Sequence, residues 1–188
     1  MVSGLRTVDA VDPAPGALAP SKEPEPPIMP LEQAVWAALD DVHDPEIPAI
    51  SVVDLGVVRR VEVAPGRVRV ELLPTFVGCP AVDLMRSAVE ERLDGFAPKV
   101  EAVISFAEPW TSERITPEGH KRLRESGFGP PAPAGRDEER LLPVLPVAPC
   151  PYCGSLDTTI ENAFGPTLCR AIYHCAACRQ PFEQFKTV

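Results

Sequence analysis

Two Cys-x-x-Cys pairs near the end of the chain constrain its fold more than any other feature of the sequence. Cys150 and Cys153 form the first pair, Cys175 and Cys178 form the second, and a short, turn-rich stretch separates them. Four sulfur ligands at this spacing predict one tetrahedral metal site, for which Zn²⁺ is the usual occupant. We therefore expect a zinc-ribbon-like module over residues 150–188, held together by structural zinc.

Two other side chains of this module are alternative metal ligands. Cys169 is a fifth thiol of the region, and His174 directly precedes Cys175. The symmetry of the two pairs favours the four-cysteine set over a set that includes either residue. Iron in a four-thiolate site would instead make the module an electron carrier, and this alternative to structural zinc stays open.

The composition bears on partners and location. The 188 residues include 27 acidic and 18 basic side chains, for a formal net charge of −9. A nucleic-acid-binding protein needs a basic face to neutralise phosphates, so we predict no nucleic-acid partner. No apolar run approaches the ~20 residues that cross a bilayer. No signal peptide is evident, and paired Cys-x-x-Cys motifs are typical of a reducing compartment. We predict a cytoplasmic protein without a membrane partner.

Proline density divides the chain into four parts. Residues 1–29 contain six prolines and no apolar periodicity, so we expect a disordered tail. Residues 30–128 have the pattern of a folded domain. Residues 129–149 are again rich in proline and predict a semi-rigid linker. The cysteine module of residues 150–188 follows.

The apolar pattern of the first domain predicts the order α-β-β-α-β. The two central strands flank a turn at residues 64–66, which indicates a hairpin. A further helix, capped by Thr116 and closed by Gly127, extends the domain. The fold class is therefore α+β. The predicted helices are 31–42, 82–95 and 117–127, and the predicted strands are 56–63, 67–73 and 99–106.

Cys79 lies far upstream of the cysteine module. It belongs to the segment Pro-Thr-Phe-Val-Gly-Cys-Pro of residues 74–80, at the predicted start of the second helix. Unpaired backbone N–H groups and the positive end of the helix dipole stabilise a thiolate at such a position, and Thr75 offers a nearby hydroxyl. A small residue packed under the helix is the alternative interpretation, and these residues alone do not decide between the two.

Three carboxylates form a second group of candidate residues. Asp44 and Glu46 lie in a loop with two prolines, and Asp54 lies in the apolar segment of residues 51–56. Capping and turn formation are the simpler interpretation of these acids. The functional alternative places one or more of them near Cys79, where a mixed set of thiolate and carboxylate would bind iron weakly and release it easily.

Several segments together resemble a known family. Residues 44–56 resemble the signature of the iron–sulfur cluster assembly domain of SufT-like proteins, and residues 74–81 resemble the cysteine loop of that domain. The cysteine module, with Phe-Gly-Pro-Thr-Leu-Cys-Arg-Ala at residues 164–171, narrows the resemblance. The combination is similar to the D-subunit family of bacterial phenylacetyl-CoA epoxidase systems, over residues 30–188.

The resemblance implies an accessory role in aerobic phenylacetate degradation. In that family the epoxidase is a multicomponent di-iron oxygenase with a separate flavin and iron–sulfur reductase, and the D-type component helps to mature or insert a metal centre. The implied partners are the oxygenase or its reductase, and the implied cargo is iron or an iron–sulfur cluster, bound transiently. The family's functional positions fall on Cys79, Asp44, Glu46, Asp54 and Thr75.

Two other functions stay open beside this one. A non-catalytic docking subunit would join the reductase to the oxygenase with zinc in a purely structural role, and an iron-based electron carrier would use the four cysteines directly. The sequence has no Glu-x-x-His pair of the kind found in di-iron helix bundles, and no glycine-rich nucleotide loop. We therefore do not expect independent catalysis.

Overall fold

The computed structural model describes residues 30–131 and 147–186. The predicted tail of residues 1–29 and most of the predicted linker lie outside the described residues. Within the described ranges, no helix has the length and apolar character needed to span a membrane.

The first domain has the predicted α-β-β-α-β order. β1 and β2 pair antiparallel across a turn at Gly66, where φ is +73°, and β2 pairs parallel with β3 through the α2 crossover. The connection between β2 and α2 therefore leaves the sheet at the carboxyl end of β2, and Cys79 lies in this connection. The elements are α1 (Leu31–Leu39), β1 (Val58–Ala64), β2 (Arg67–Leu72), α2 (Ala81–Arg92) and β3 (Lys99–Ile104).

A third helix follows the first sheet as predicted. α3 spans Pro117–Glu125, and the Thr116 hydroxyl caps it by accepting the N–H of Gly119 at 2.9 Å. Gly127 ends the turn after the helix with φ of +82°, a backbone conformation that glycine adopts without a Cβ clash. The chain then enters a short strand, β4 (Phe128–Gly129).

The second sheet combines this short strand with the cysteine module. Its strand order is β4-β7-β6-β5, with β5 at Thr158–Asn162, β6 at Arg170–Cys175 and β7 at Pro181–Phe185. β4 pairs parallel with β7, whereas the other pairs are antiparallel. The second sheet therefore takes strands from both sides of residues 132–146.

Phe185 packs the last strand into the core of the first domain. Its side chain is 1% exposed and lies in the same buried cluster as the apolar residues of α1, α2 and the first sheet. The ring centroid of Phe185 is 5.8 Å from that of Trp110, edge to face, and the indole of Trp110 donates to the carbonyl of Leu55 at 3.0 Å. A smaller core in the cysteine module includes Tyr173 stacked on Phe182.

Candidate metal and thiol sites

The four predicted zinc ligands converge in the structure. The sulfurs of Cys150 and Cys178 are 3.6 Å apart, those of Cys153 and Cys175 are also 3.6 Å apart, and all four lie within 4.8 Å of one another. With metal–sulfur bonds of about 2.3 Å, a tetrahedral site has sulfurs about 3.8 Å apart. The four side chains therefore fit one tetrahedral ion.

Two matching turns aim these sulfurs at a common point. The N–H of Gly154 donates to the carbonyl of Cys150 at 2.9 Å, and the N–H of Arg179 donates to the carbonyl of Cys175 at 2.8 Å. Both turns end on a positive φ, +74° at Gly154 and 60° at Arg179. Each Cys-x-x-Cys pair thus closes the same kind of backbone loop, as the symmetry of the sequence indicates.

The thiols of this group titrate unequally without a cation. A hydrogen bond from the backbone of Cys178 lowers the pKa of Cys175 to about 7, whereas burial raises the pKa of Cys178 to about 12. A bound cation requires all four as thiolates, so its binding releases protons. Neither Cys169 nor His174 belongs to the four-membered group.

Cys79 lies at the end of the loop that leads into α2. Pro80 occupies the cap position of the helix, so Cys79 is one residue before it, close to where the sequence predicted it. The N–H of Cys79 donates to the carbonyl of Phe76 at 3.1 Å, and the carbonyl of Cys79 accepts the N–H of Val82 at 3.3 Å. The side chain is partly buried against the core. The backbone around the thiol is therefore held at both ends.

A cavity of about 230 Å³ opens beside this thiol. Phe76, Cys79 and Pro80 line one side of it, and residues 164–169 of the β5–β6 connection line the other. Cys169 is one of these lining residues, so a cysteine from each part of the chain lines the cavity. From the sequence alone, Cys169 was predicted only as an alternative zinc ligand. The cysteine count was the available signal, because four ligands taken from six cysteines leave two.

Cys169 has a hydrogen-bonding partner for its thiol as well as for its backbone. Its sulfur is 3.1 Å from the hydroxyl of Thr167, and its carbonyl accepts the N–H of Lys186 at 2.8 Å. Burial raises the pKa of the Cys169 thiol, against the opposing effects of Thr167 and Arg170.

Asp44 and Glu46 stabilise the acidic loop, which consists of residues 44–48. The carboxylate oxygen Oδ1 of Asp44 accepts the N–H groups of Glu46 at 2.7 Å and Ile47 at 3.0 Å, and burial raises the pKa of Asp44. The Glu46 carboxylate pairs with the Arg170 guanidinium at 2.8 Å. The loop is thereby tied to the residue that follows Cys169.

Arg170 joins three partners at this point. Its side chain is only 7% exposed and pairs with Glu183 at 2.7 Å as well as with Glu46. Its Nε donates to the hydroxyl of Thr167 at 2.8 Å. The cation is thus balanced by two carboxylates, one from each part of the chain. No sequence signal identified this residue.

Asp54 and Thr75 occupy different surroundings. The Asp54 carboxylate accepts the hydroxyl of Thr116, and its second oxygen lies 3.1 Å from the guanidinium of Arg122, so its partners are at the start of α3 and within it. Thr75 is buried four residues before Cys79. Neither Asp54 nor Thr75 is among the residues that line the Cys79 cavity.

Two family models match separate parts of the chain, one in the first domain and one over the cysteine module. Residues 32–104 match the family model described as iron-sulfur cluster assembly protein. Residues 135–186 match the model described as PaaD zinc beta ribbon domain. The predicted α+β fold with a zinc-ribbon-like module is thereby confirmed, and the match supports metal binding by the cysteine group.

One relative covers most of the chain, and two solved structures cover about half of it. The chain is 40% identical over 162 residues to the D subunit of the 1,2-phenylacetyl-CoA epoxidase of Escherichia coli strain K12, a match that covers 85% of this chain and 94% of that protein. A domain of unknown function from Bacillus anthracis is 26% identical with a TM-score of 0.47, and covers 50% of this chain and 91% of its own. A conserved hypothetical protein of Thermotoga maritima is 30% identical with a TM-score of 0.43, and covers 49% and 92%.

The identity to the Escherichia coli protein extends over both parts of the chain, so it accounts for the assembly domain and the ribbon together. The resemblance seen in the sequence motifs is confirmed. The chain belongs to the family of 1,2-phenylacetyl-CoA epoxidase D subunits.

Proposed function

We propose that the chain is an accessory subunit of a phenylacetyl-CoA epoxidase system, and that its Cys79 thiolate handles iron on the way to the oxygenase or its reductase. The observation that carries this proposal is the position of Cys79. The thiol borders a cavity and belongs to the segment that matches iron–sulfur cluster assembly proteins. The name of the Escherichia coli relative supports the epoxidase as the recipient system.

In this proposal the cysteine module has a structural role. Cys150, Cys153, Cys175 and Cys178 hold one Zn²⁺, which has no redox chemistry and so stabilises the ribbon without reacting. The ribbon in turn supplies residues 164–169 to the cavity beside Cys79. Iron handling is assigned to residues 30–128 and support to residues 150–188, with residues 129–149 as the connection.

The acidic residues have supporting roles in the same proposal. Asp44 shapes the loop through two backbone N–H groups, and Glu46 ties that loop to Arg170 next to Cys169. Asp54 anchors α3 through Thr116 and Arg122. These carboxylates are engaged by the protein itself, which favours positioning roles over iron binding.

A docking function is the second candidate, because large apolar side chains are exposed close to the thiol. Phe164 and Leu168 line the cavity and are 71% and 54% exposed. Val77, two residues before Cys79, is 84% exposed. Exposed apolar groups of this kind are common where a partner binds. A subunit that only joins the other components would use these side chains and would not need the thiol.

Two variants separate these functions in cells that lack the native subunit. We expect Cys79→Ser to fold, to keep its zinc and to abolish phenylacetyl-CoA epoxidation, because serine cannot replace the thiolate. The oxygenase and reductase purified from those cells should contain less iron. Wild-type epoxidation with Cys79→Ser, combined with loss of epoxidation in Phe164→Ser, would overturn iron handling in favour of docking.

A further inference from the structure

The six cysteines of the chain fall into one group of four and one pair. The four form the group described above, in which every sulfur is within 4.8 Å of the others. The remaining two, Cys79 and Cys169, come from different parts of the chain, one from the loop before α2 and the other from the β5–β6 connection. Both line the same cavity. Every cysteine of this protein therefore belongs either to the four-cysteine group or to the lining of this cavity.

We propose that Cys79 and Cys169 together form a second, open thiol site that binds a thiophilic divalent cation, with Fe²⁺ as its cargo. The inference rests on the proposed function for the identity of the cation. The lining of one cavity by both cysteines is independent of that function. Binding forms two metal–sulfur bonds and releases the two thiol protons to solvent, with no change in oxidation state.

The cavity leaves room for additional ligands. Its volume is about 230 Å³, whereas a water molecule takes about 30 Å³ of liquid. Among residues 30–131 and 147–186, no His, Asp or Glu completes a group of three ligand atoms with these two thiols within 4.8 Å. The other coordination positions are thus free for water, sulfide or a ligand from a recipient protein. A closed set of four thiolates retains its ion, and an open pair permits exchange.

The side of the site that carries Cys169 is fixed by polar contacts between the two parts of the chain. Thr167 lies 3.1 Å from the Cys169 sulfur and also accepts from Arg170. Arg170 is clamped between Glu46 of the acidic loop and Glu183 of β7. The acidic loop therefore acts as a positioning element for the second thiol, although Glu46 and Arg170 are 124 residues apart in the sequence.

The test measures Fe²⁺ binding by the full-length, zinc-loaded protein under anaerobic, reducing conditions. Equilibrium dialysis should find one Fe²⁺ per chain in addition to zinc. We expect Cys79→Ser and Cys169→Ser each to weaken this binding at least tenfold while the zinc content stays the same. His174→Gln is the matched control, because it removes a potential ligand of the same module that does not line the cavity. A parallel sample with Fe²⁺ and sulfide shows, by its acid-labile sulfide, whether the site takes a cluster or an ion.

A second measurement tests the juxtaposition without iron. Phenylarsine oxide bonds one arsenic to two neighbouring thiols, and its oxygen leaves as water with the two thiol protons. Mass spectrometry of the zinc-loaded protein should show one such bridged adduct in the wild type and none in either single variant. Absence of the bridge in the wild type, or unchanged Fe²⁺ affinity in Cys169→Ser, would overturn the two-thiol site.

These results are distinguishable from the test of the proposed function. If Fe²⁺ binding needs both thiols while the Cys79→Ser strain still epoxidises phenylacetyl-CoA, the site stands and the iron-handling function is wrong. If Cys169→Ser binds Fe²⁺ like the wild type while the Cys79→Ser strain is inactive, the function stands and the two-thiol site is wrong.

Discussion

Replacement of Phe185 by alanine tests how far the ribbon and the first domain fold as one unit. The side chain belongs to the last strand of the second sheet but is 1% exposed within the core of the first domain. Truncation of a buried phenylalanine costs about 3–5 kcal/mol. The edge-to-face pair with Trp110 contributes ~0.5–1.5 kcal/mol to the interactions that would be lost. A domain of this size has a total stability of about 5–15 kcal/mol, so the loss is a large fraction of it.

Urea unfolding followed by tryptophan fluorescence measures this loss. With a denaturant dependence of about 2 kcal/mol per molar, a loss of ~4 kcal/mol lowers the unfolding midpoint by about 2 M. Trp110 reports directly, since its ring centroid is 5.8 Å from that of Phe185. Phe182→Ala is the matched control, because Phe182 is on the same strand and is 4% exposed, but stacks on Tyr173 in the smaller core.

Phe185→Ala and Phe182→Ala should affect different properties of the protein. We expect Phe185→Ala to change the fluorescence of Trp110 and to lower the stability of both parts of the chain. Phe182→Ala should lower zinc affinity with a smaller effect on Trp110. A stability loss in Phe185→Ala below ~1 kcal/mol, equivalent to about 0.5 M urea, would refute the reasoning, since it would mean that the two parts fold independently.

Other variants test the metal group, the acidic loop and α3. Cys153→Ser should lose the zinc that Cys79→Ser retains, as metal analysis would show, because three thiols leave the tetrahedral site incomplete. Asp44→Asn keeps an acceptor for two backbone N–H groups and removes a carboxylate whose pKa is raised by burial. It should therefore unfold at pH 7 at the same urea concentration as the wild type or higher, whereas Asp44→Ala should lose about 1 kcal/mol. Burial, and secondarily Arg124, lowers the pKa of His120 below 6.5, so the unfolded chain binds a proton first as the pH falls. Stability should decline below about pH 6.5, and His120→Gln should reduce that slope in urea titrations at several pH values.

Local patterns predicted the elements and the four-cysteine group. Apolar periodicity predicted α1, α2 and β2, because it reports which face of an element is buried. The spacing of the cysteines identified the tetrahedral group, because both turns are local. Pro80 placed Cys79 next to the start of a helix, which the structure has at Ala81.

Contacts between distant segments could not be predicted in this way. The pair between Glu46 and Arg170 spans 124 residues, and each of the two looks like an ordinary surface charge in its own segment. The burial of Phe185 in the core of the first domain has the same cause, because a pattern shows that a side chain is buried without showing against what. The cavity lined by both Cys79 and Cys169 is also formed by segments that are far apart in the sequence. This cavity depends on how the ribbon packs against the first domain, which local sequence patterns do not indicate.

The division of the cavity between distant segments has a consequence for the order of events during synthesis. Cys169 follows Cys79 by 90 positions, and a ribosome adds about 5–20 residues per second, so the second thiol emerges roughly 5–20 s after the first. β7, which carries Glu183 and Phe185, follows later still. On the two-thiol proposal, a nascent or prematurely terminated chain has half a site and binds iron at least tenfold more weakly. Only a finished subunit would then compete for the cell's iron supply.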